Sequence, residues 1–128
     1  MEIVEPGHWF KLNNYSGISE STTLSKSQLV FMHRVGDNYP GNHGYPYDGT
    51  NCQEVLRALI HRCIYLNGQI PCRETENIIE NLRYSLILFE ERAARVHGLK
   101  LPPNLPKDIE NTPTCRQCGH IVCNHKKF

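Results

Sequence analysis

The apolar residues between Gly49 and Gly98 recur with the spacing of two α-helices. In the first half of this stretch they follow steps of four and three, and in the second half steps of three and four. The two sets are Cys52, Leu56, Leu59, Cys63 and Leu66, and then Ile79, Leu82, Leu86, Phe89, Ala93 and Val96. One-sided stripes of this kind predict two amphipathic helices that face each other, not strands.

Capping and turn residues mark the ends of both predicted helices. Thr50 and Gln53 fit a capping box, which predicts that the first helix begins at Asn51. A short break around Gly68 separates it from the second helix, which ends at Gly98. Because so short a connection joins them, the helices are expected to be antiparallel neighbours.

A second apolar set on the same helices lies outside the two stripes. Its members are Val55, Ile60, Ile64, Ile78, Ile87 and Leu88. A two-helix hairpin cannot bury both sets by itself. We therefore expect the N-terminal segment or another subunit to cover the second set, and we predict an oligomer.

The N-terminal part of the chain contains two strand-like segments. Residues 8–13 alternate between apolar and polar side chains, and residues 27–34 are rich in strand-forming types. An isolated strand pair is marginally stable in water, so it should pack on the helices. The predicted fold is α+β: a small N-terminal antiparallel β segment packed on a long antiparallel two-helix hairpin, in an oligomer.

The stretch from Val35 to Asn51 is dense in glycine, proline and asparagine, which predicts an irregular loop. It carries Tyr39, Tyr45 and Tyr47. These tyrosines could lean on the core from a surface loop. They could equally offer aromatic faces to a ligand, because loops on a rigid scaffold often hold binding sites.

The C-terminal part of the chain carries a candidate metal site formed by Cys115, Cys118, Cys123 and His125. Three thiols and an imidazole make a complete tetrahedral set for Zn²⁺, and four protein ligands would make the site structural. The alternative is a flexible tail rich in soft ligands, because the two ligand pairs lie unusually close together. We predict a ligand-binding part over residues 1–100 and an extended tail over residues 101–128.

Composition narrows the range of functions. A chain of 128 residues suits one domain. A net charge of +1 with 21% charged residues argues against binding long nucleic acid through a basic face. No apolar run approaches membrane-spanning length, and no export signal opens the sequence. We therefore expect a cytoplasmic protein without membrane contact, whose cysteines are reduced or metal-bound.

Catalytic motifs do not stand out, and we predict that the protein is not an enzyme. The histidines before the C-terminal segment are scattered: His8, His33, His43, His61 and His97. Glu90 and Glu91 are interpreted as a solvated face near Arg92 and Arg95. Arginine suits bidentate contacts to phosphate, and Arg62 and Arg92 are candidates for that role.

Several segments of the chain resemble the first-described Thoeris anti-defence family of phages. They are HWFKLN, LVFMHR, GTNCQEVLRALIHRCIYL, PCRE and LILFEERAA. Together they cover roughly residues 6–98, and the combination of GTN with PCRE is the most specific part. The helical hairpin is shared with the second anti-CBASS family. The cysteine-rich C-terminal segment lies outside the common pattern.

The resemblance implies a nucleotide sponge in the cytoplasm of an infected bacterium. Proteins that look like this sequester a glycocyclic ADP-ribose isomer made by TIR-domain proteins, without degrading it and without a cofactor. Some also bind cyclic di- or trinucleotides, and they assemble as dimers or hexamers. The implied ligand-binding residues are Arg34, Tyr65, Thr75 and Arg92, with Asn77 as a nearby substitute for the asparagine that the family has where Thr75 stands.

Two further hypotheses do not involve a nucleotide. The chain could be a small zinc-binding adaptor whose C-terminal segment recognises a protein or nucleic-acid partner. It could also be a helical-hairpin assembly protein without a small-molecule ligand.

Overall fold

The computed structural model describes residues 1–15, 25–33 and 48–125. Contacts divide the chain into two compact units, Met1–Thr50 and Asn51–Phe128. The first unit holds a three-stranded antiparallel sheet and the second holds two long helices, so the predicted α+β class is confirmed. We predicted a division near residue 100, whereas the contacts group the C-terminal residues with the helices.

The sheet has the strand order β1-β2-β3, with β1 over Glu2–Glu5, β2 over Trp9–Asn13 and β3 over Lys26–Val30. Both strand pairs are antiparallel. The predicted strands are confirmed as β2 and β3, although β3 ends earlier than expected. β1 escaped prediction because it is short and acidic at both ends, and glutamate is depleted in strands.

The first helix, α1, runs over Cys52–Gln69 and the second, α2, over Arg73–Val96, and they pack against each other. Asn51 caps α1, since its side-chain oxygen accepts a hydrogen bond from the Glu54 backbone N–H at 2.8 Å. The capping-box prediction was therefore one residue early, because an asparagine at that position is as good a cap as threonine.

The end of α2 follows the glycine signal in the sequence. Gly98 adopts a left-handed φ of 70°. The Leu99 N–H donates to the Ala94 carbonyl at 2.7 Å and the Gly98 N–H donates to the Arg95 carbonyl at 3.0 Å, which is the Schellman pattern. This turn sends the chain into the C-terminal segment, which we define as residues 99–125.

The core of the second unit combines side chains from three parts of the chain. α1 contributes Ile60, α2 contributes Ile79 and Leu86, and the C-terminal segment contributes Ile109 and Ile121. All five are more than nine-tenths buried. Burying aliphatic side chains of this size stabilises a fold by roughly 2 kcal/mol each. The C-terminal segment is therefore part of the core.

The buried face of α1 differs from the predicted stripe. Leu59 and Leu66 are 45% and 39% exposed, and Cys52 is also exposed, whereas Ile60 from the second apolar set is fully buried. The cluster that buries Ile60 includes the C-terminal segment, which helical periodicity cannot reveal. The stripe of α2 is buried as predicted at Ile79, Leu86 and Ala93.

A bidentate ion pair fixes the middle of the C-terminal segment, where a short 3-10 helix spans Ile109–Asn111. Arg83 on α2 donates from Nε and Nη2 to the two carboxylate oxygens of Glu110, at 2.8 and 2.6 Å. The Glu110 side chain is fully buried. Paired N–H groups facing paired oxygens set position as well as charge. The segment is thus anchored at its centre as well as at its apolar residues.

Candidate metal centre

The four predicted zinc ligands converge in the structure. One ligand atom from each of Cys115, Cys118, Cys123 and His125 lies within 4.8 Å of all the others. Cys115 Sγ and His125 Nδ1 are 3.7 Å apart. A Zn²⁺ ion with ordinary Zn–S and Zn–N bonds needs neighbouring ligands about 3.6 to 3.8 Å apart. The side chains therefore fit one tetrahedral ion with small adjustments.

A tight turn brings the first two cysteines together. The Gly119 N–H donates to the Cys115 carbonyl at 2.8 Å, and the Cys115 N–H donates to the His120 carbonyl at 2.9 Å. Gly119 has a φ of 75°, and a Cβ at this position would lie 2.9 Å from the side-chain amide nitrogen, Nδ2, of Asn51. Glycine is thus required both by the backbone conformation and by the close approach of α1's cap.

The electrostatics of the cysteines suit a cation. Burial disfavours the Cys115 thiolate, but the backbone N–H groups of Cys118 and Gln117 outweigh it and lower the pKa of Cys115 to about 6. Burial, together with the neighbouring Cys115 and Cys123 sulfurs, raises the pKa of Cys118 to about 12. Deprotonation of one cysteine in the cluster is therefore favoured, and deprotonation of a second is opposed. A bound divalent cation removes that resistance, because it deprotonates the thiols that coordinate it.

Hydrogen bonds tie the ligand-bearing turn to the first residues of α1. The Asn51 side-chain amide donates to the Cys118 carbonyl at 3.2 Å. Gln53 Nε2 lies 3.0 Å from His120 Nδ1, and both residues are buried. Burial lowers the pKa of His120, helped by repulsion from His97, Arg57 and His125, which favours the neutral imidazole. His120 therefore supports the turn, while His125 joins the ligand cluster.

Glu90 connects the same turn to α2, and here the sequence interpretation was wrong. We assigned Glu90 to a solvated face, but it is only 1% exposed. One carboxylate oxygen accepts from Arg57 Nη2 at 3.0 Å and the other accepts from the Ile121 N–H at 3.0 Å. Burial raises the pKa of Glu90 despite both donors. Glu90 follows Leu86 by four residues and precedes Ala93 by three, so it lies on the buried face of α2, whereas Glu91 is exposed.

The residues that the anti-defence resemblance implies are dispersed. Tyr65 lies near the C-terminal end of α1 and is 58% exposed, with the Arg62 guanidinium carbon 5.7 Å from its ring centroid. Thr75 lies in the first turn of α2, next to Cys72 Sγ at 2.9 Å. Arg92 is exposed near the other end of α2, about 25 Å further along the helix axis. One protomer does not bring Thr75 and Arg92 together.

The other two residues that the resemblance implies are Asn77 and Arg34. Asn77 is exposed in the first turns of α2. Arg34 and the three tyrosines of the predicted binding loop lie outside the described residues. Among the implied residues, Tyr65 thus lies beside a second exposed side chain, that of Arg62.

Comparison of the chain with models of known protein families, with curated proteins and with solved structures returns no match. The resemblance to anti-defence proteins thus depends on the sequence segments alone, and function must be argued from the sites. Within the described ranges, every helix is too short or too polar to cross a membrane.

Proposed function

We propose that this chain is a zinc-binding protein in which one Zn²⁺ ion fastens the C-terminal segment onto the helices. The observation that supports this proposal is the convergence of four ligand atoms, from Cys115, Cys118, Cys123 and His125, within 4.8 Å. Three thiolates and one imidazole are a common donor set of structural zinc sites. With all four positions taken by protein, the ion has a folding role and does not activate water.

The contacts around the cluster explain what the ion would hold in place. The same turn that carries the cysteines presents His120 to Gln53 and the Ile121 N–H to Glu90. It also places the Ile121 side chain in the core. Binding of Zn²⁺ would lock this turn in the conformation that makes those contacts, since binding energy at such sites is folding energy.

Metal analysis of the purified chain tests the proposal. We expect one zinc per chain, and a cobalt-substituted protein whose spectrum contains thiolate-to-metal charge-transfer bands. Cys118→Ser and His125→Ala should lose the metal or bind it far more weakly. Cys52→Ser is the matched control, because Cys52 is an exposed thiol outside the cluster. Protein that binds neither zinc nor cobalt through thiolates would refute the site.

Nucleotide sequestration is our second candidate function. The observation that favours it is the exposed Tyr65 ring beside the Arg62 guanidinium, 5.7 Å from the ring centroid. An aromatic face next to a planar cation suits an adenine base and a phosphate. Since Thr75 and Arg92 are far apart on α2, a pocket that uses both needs a second protomer. In this proposal the ligand is a glycocyclic ADP-ribose isomer or a cyclic oligonucleotide, held without chemical change.

A thermal-shift panel of cyclic ADP-ribose isomers and cyclic oligonucleotides tests this second candidate. A ligand that binds the native state raises the melting temperature by mass action. Arg92→Ala and Tyr65→Ala should remove the shift, while Arg116→Ala, an exposed arginine of the C-terminal segment, should keep it. Ligand released by denaturation should be unaltered. Recovery of ADP-ribose or another product would instead indicate an enzyme.

A further inference from the structure

We infer that the N-terminal unit carries a second metal site, formed by Glu5, His8 and His33, that binds Zn²⁺ or a similar divalent transition-metal ion. One ligand atom from each residue lies within 4.8 Å of the other two. The donors are two imidazole nitrogens and a carboxylate oxygen, a set that suits such ions. No thiolate takes part, so this site differs in chemistry from the cysteine cluster.

The distances place both imidazoles around one carboxylate oxygen. His33 Nε2 is 3.0 Å and His8 Nδ1 is 3.8 Å from Glu5 Oε1. Nitrogen and oxygen ligands of a tetrahedral Zn²⁺ are about 3.4 Å apart. The two rings stack with centroids 3.9 Å apart and an interplanar angle of 6°. Binding one ion requires the rings to splay out of this parallel stack, which is a rotation of side chains alone.

The sheet holds the three residues in place. Glu5 ends β1 and pairs with Trp9 of β2. His8 lies in the turn between them, where its N–H donates to the Glu5 carbonyl at 3.0 Å and its carbonyl accepts from the Phe31 N–H at 2.7 Å. His33 follows Phe31 by two residues. Backbone hydrogen bonds therefore fix the backbone positions of Glu5 and His8 before any metal arrives, so that only side chains need to move.

The surroundings of the ligands also match a metal site. The carbonyl oxygen of Pro6 lies 3.0 Å from His8 Nδ1 and can only accept, so Nδ1–H donates to it and the ring is oriented. An ion bound through His8 Nε2 keeps this hydrogen bond, as ligating histidines commonly do, whereas an ion bound through Nδ1 replaces it. His33 is 5% exposed, whereas the side chains of Glu5 and His8 are about one-third exposed. Three ligands from the described residues leave a fourth position of a tetrahedral ion for water or another ligand.

Metal titration of the full chain tests the inference, with Zn²⁺ and Co²⁺ alone as probes. We expect each chain to bind two metal ions. The ion in the Glu5, His8 and His33 site, called the second equivalent, should add Co²⁺ absorption bands without further thiolate-to-metal charge transfer. Glu5→Gln and His8→Gln should each lower the affinity for the second metal ion by more than about 10-fold. Losses of this size occur even when a residue that only hydrogen-bonds to a metal ligand is replaced. His61→Gln is the control, because His61 is an exposed histidine of α1. Cys118→Ser should lose the thiolate bands and retain the second equivalent.

Two results would overturn the second site: a Cys118→Ser chain that binds no Zn²⁺ or Co²⁺, or metal binding without thiolate bands that survives in both Glu5→Gln and His8→Gln. Circular dichroism of the metal-free variants must match that of the wild type. If His8→Gln disturbs the sheet, Glu5→Gln decides alone, because it keeps the shape of the side chain and removes only the charge. Failure of the cysteine cluster to bind metal would leave this outcome unchanged, so the two proposals are separable.

Discussion

The two ends of the helical hairpin differ in which side chains they bury. At the open end, where α1 begins and α2 finishes, Gln53, Arg57 and Glu90 are buried although they are polar or charged. At the closed end, around the connection between the helices, Ile70 and Ile78 are 76% and 46% exposed although they are apolar. Hydrophobic character alone would predict the reverse.

The C-terminal segment accounts for the difference. It covers the open end and supplies partners for the polar groups buried there, such as the Ile121 N–H for Glu90 and the His120 ring for Gln53. Buried polar groups are tolerated when they are hydrogen-bonded. In the described part of the chain, Ile70 and Ile78 at the closed end stay exposed. They suit the predicted subunit interface, which remains a prediction.

If the cysteine cluster holds Zn²⁺ as proposed, removal of the ion should have the largest effect on the stability of the open end. Chelation, or Cys118→Ser, should release the turn that carries Ile121 and expose the open end. We expect a loss of about 5 kcal/mol or more, since structural zinc binds small domains with about 10 to 16 kcal/mol. Hydrogen exchange of the Ile121 amide, which donates to Glu90, should accelerate greatly. An amide that stays protected after chelation would show that the metal does not hold the turn.

Arg57→Met should have the next largest effect, because it leaves Glu90 buried without its cation. Breaking a buried pair costs about 3 kcal/mol or more. Arg62→Met, an exposed position on the same helix, should change stability by less than about 0.5 kcal/mol. Chemical denaturation measures both.

The cost of Arg57→Met should depend on pH. The pKa of Glu90 is already raised by burial, and loss of Arg57 should raise it further. The folded chain then binds a proton more tightly than the unfolded chain, so lowering the pH towards the ordinary value of 4.5 stabilises the folded state. We therefore expect Arg57→Met to lower the free energy of unfolding less at pH 5.5 than at pH 8. An equal loss at both pH values would contradict this account.

Glu110→Gln should cost less, about 2 kcal/mol, because Arg83 keeps some solvent contact. Burial opposes ionisation, but the hydrogen bonds from Arg83 prevail and lower the pKa of Glu110. This stabilisation is complete above the ordinary pKa of 4.5 and is lost as the pH falls through the lower folded value. The difference in the free energy of unfolding between the wild type and Glu110→Gln should therefore become smaller below pH 4.5. Glu80→Gln, an exposed carboxylate on α2, is the control.

Substitutions at the closed end should have the smallest effect on the stability of a protomer. Ile70→Ser and Ile78→Ser should each change the free energy of unfolding by less than about 0.5 kcal/mol. If the closed end is a subunit interface, the same changes should shift the oligomer towards monomer in sedimentation experiments. Glu76→Ser, a polar exposed position nearby, should not. Identical sedimentation of all three variants and wild type would argue against an interface at this end.

Sequence reasoning succeeded where the interactions are local. Helical periodicity and the glycine turn predicted α2 and its end at Gly98, because a helix depends on residues three and four positions apart. The ligand set of the cysteine cluster was also predictable. Its four members lie between Cys115 and His125, so the short chain between them brings the ligand atoms together with little help from the rest of the molecule.

Long-range packing decided which helix residues are buried and which histidines lie side by side. Ile60 and Glu90 are buried because the C-terminal segment covers them, and no pattern within a helix encodes which segment packs on it. His8 and His33 looked scattered because the pairing of β2 with β3, not a local motif, brings His33 to the turn that carries Glu5 and His8. By itself, the sequence determined the helices, two of the strands and the members of the cysteine cluster, since these follow from neighbours in the chain. The tertiary structure alone decided which charges are buried and which distant histidines meet.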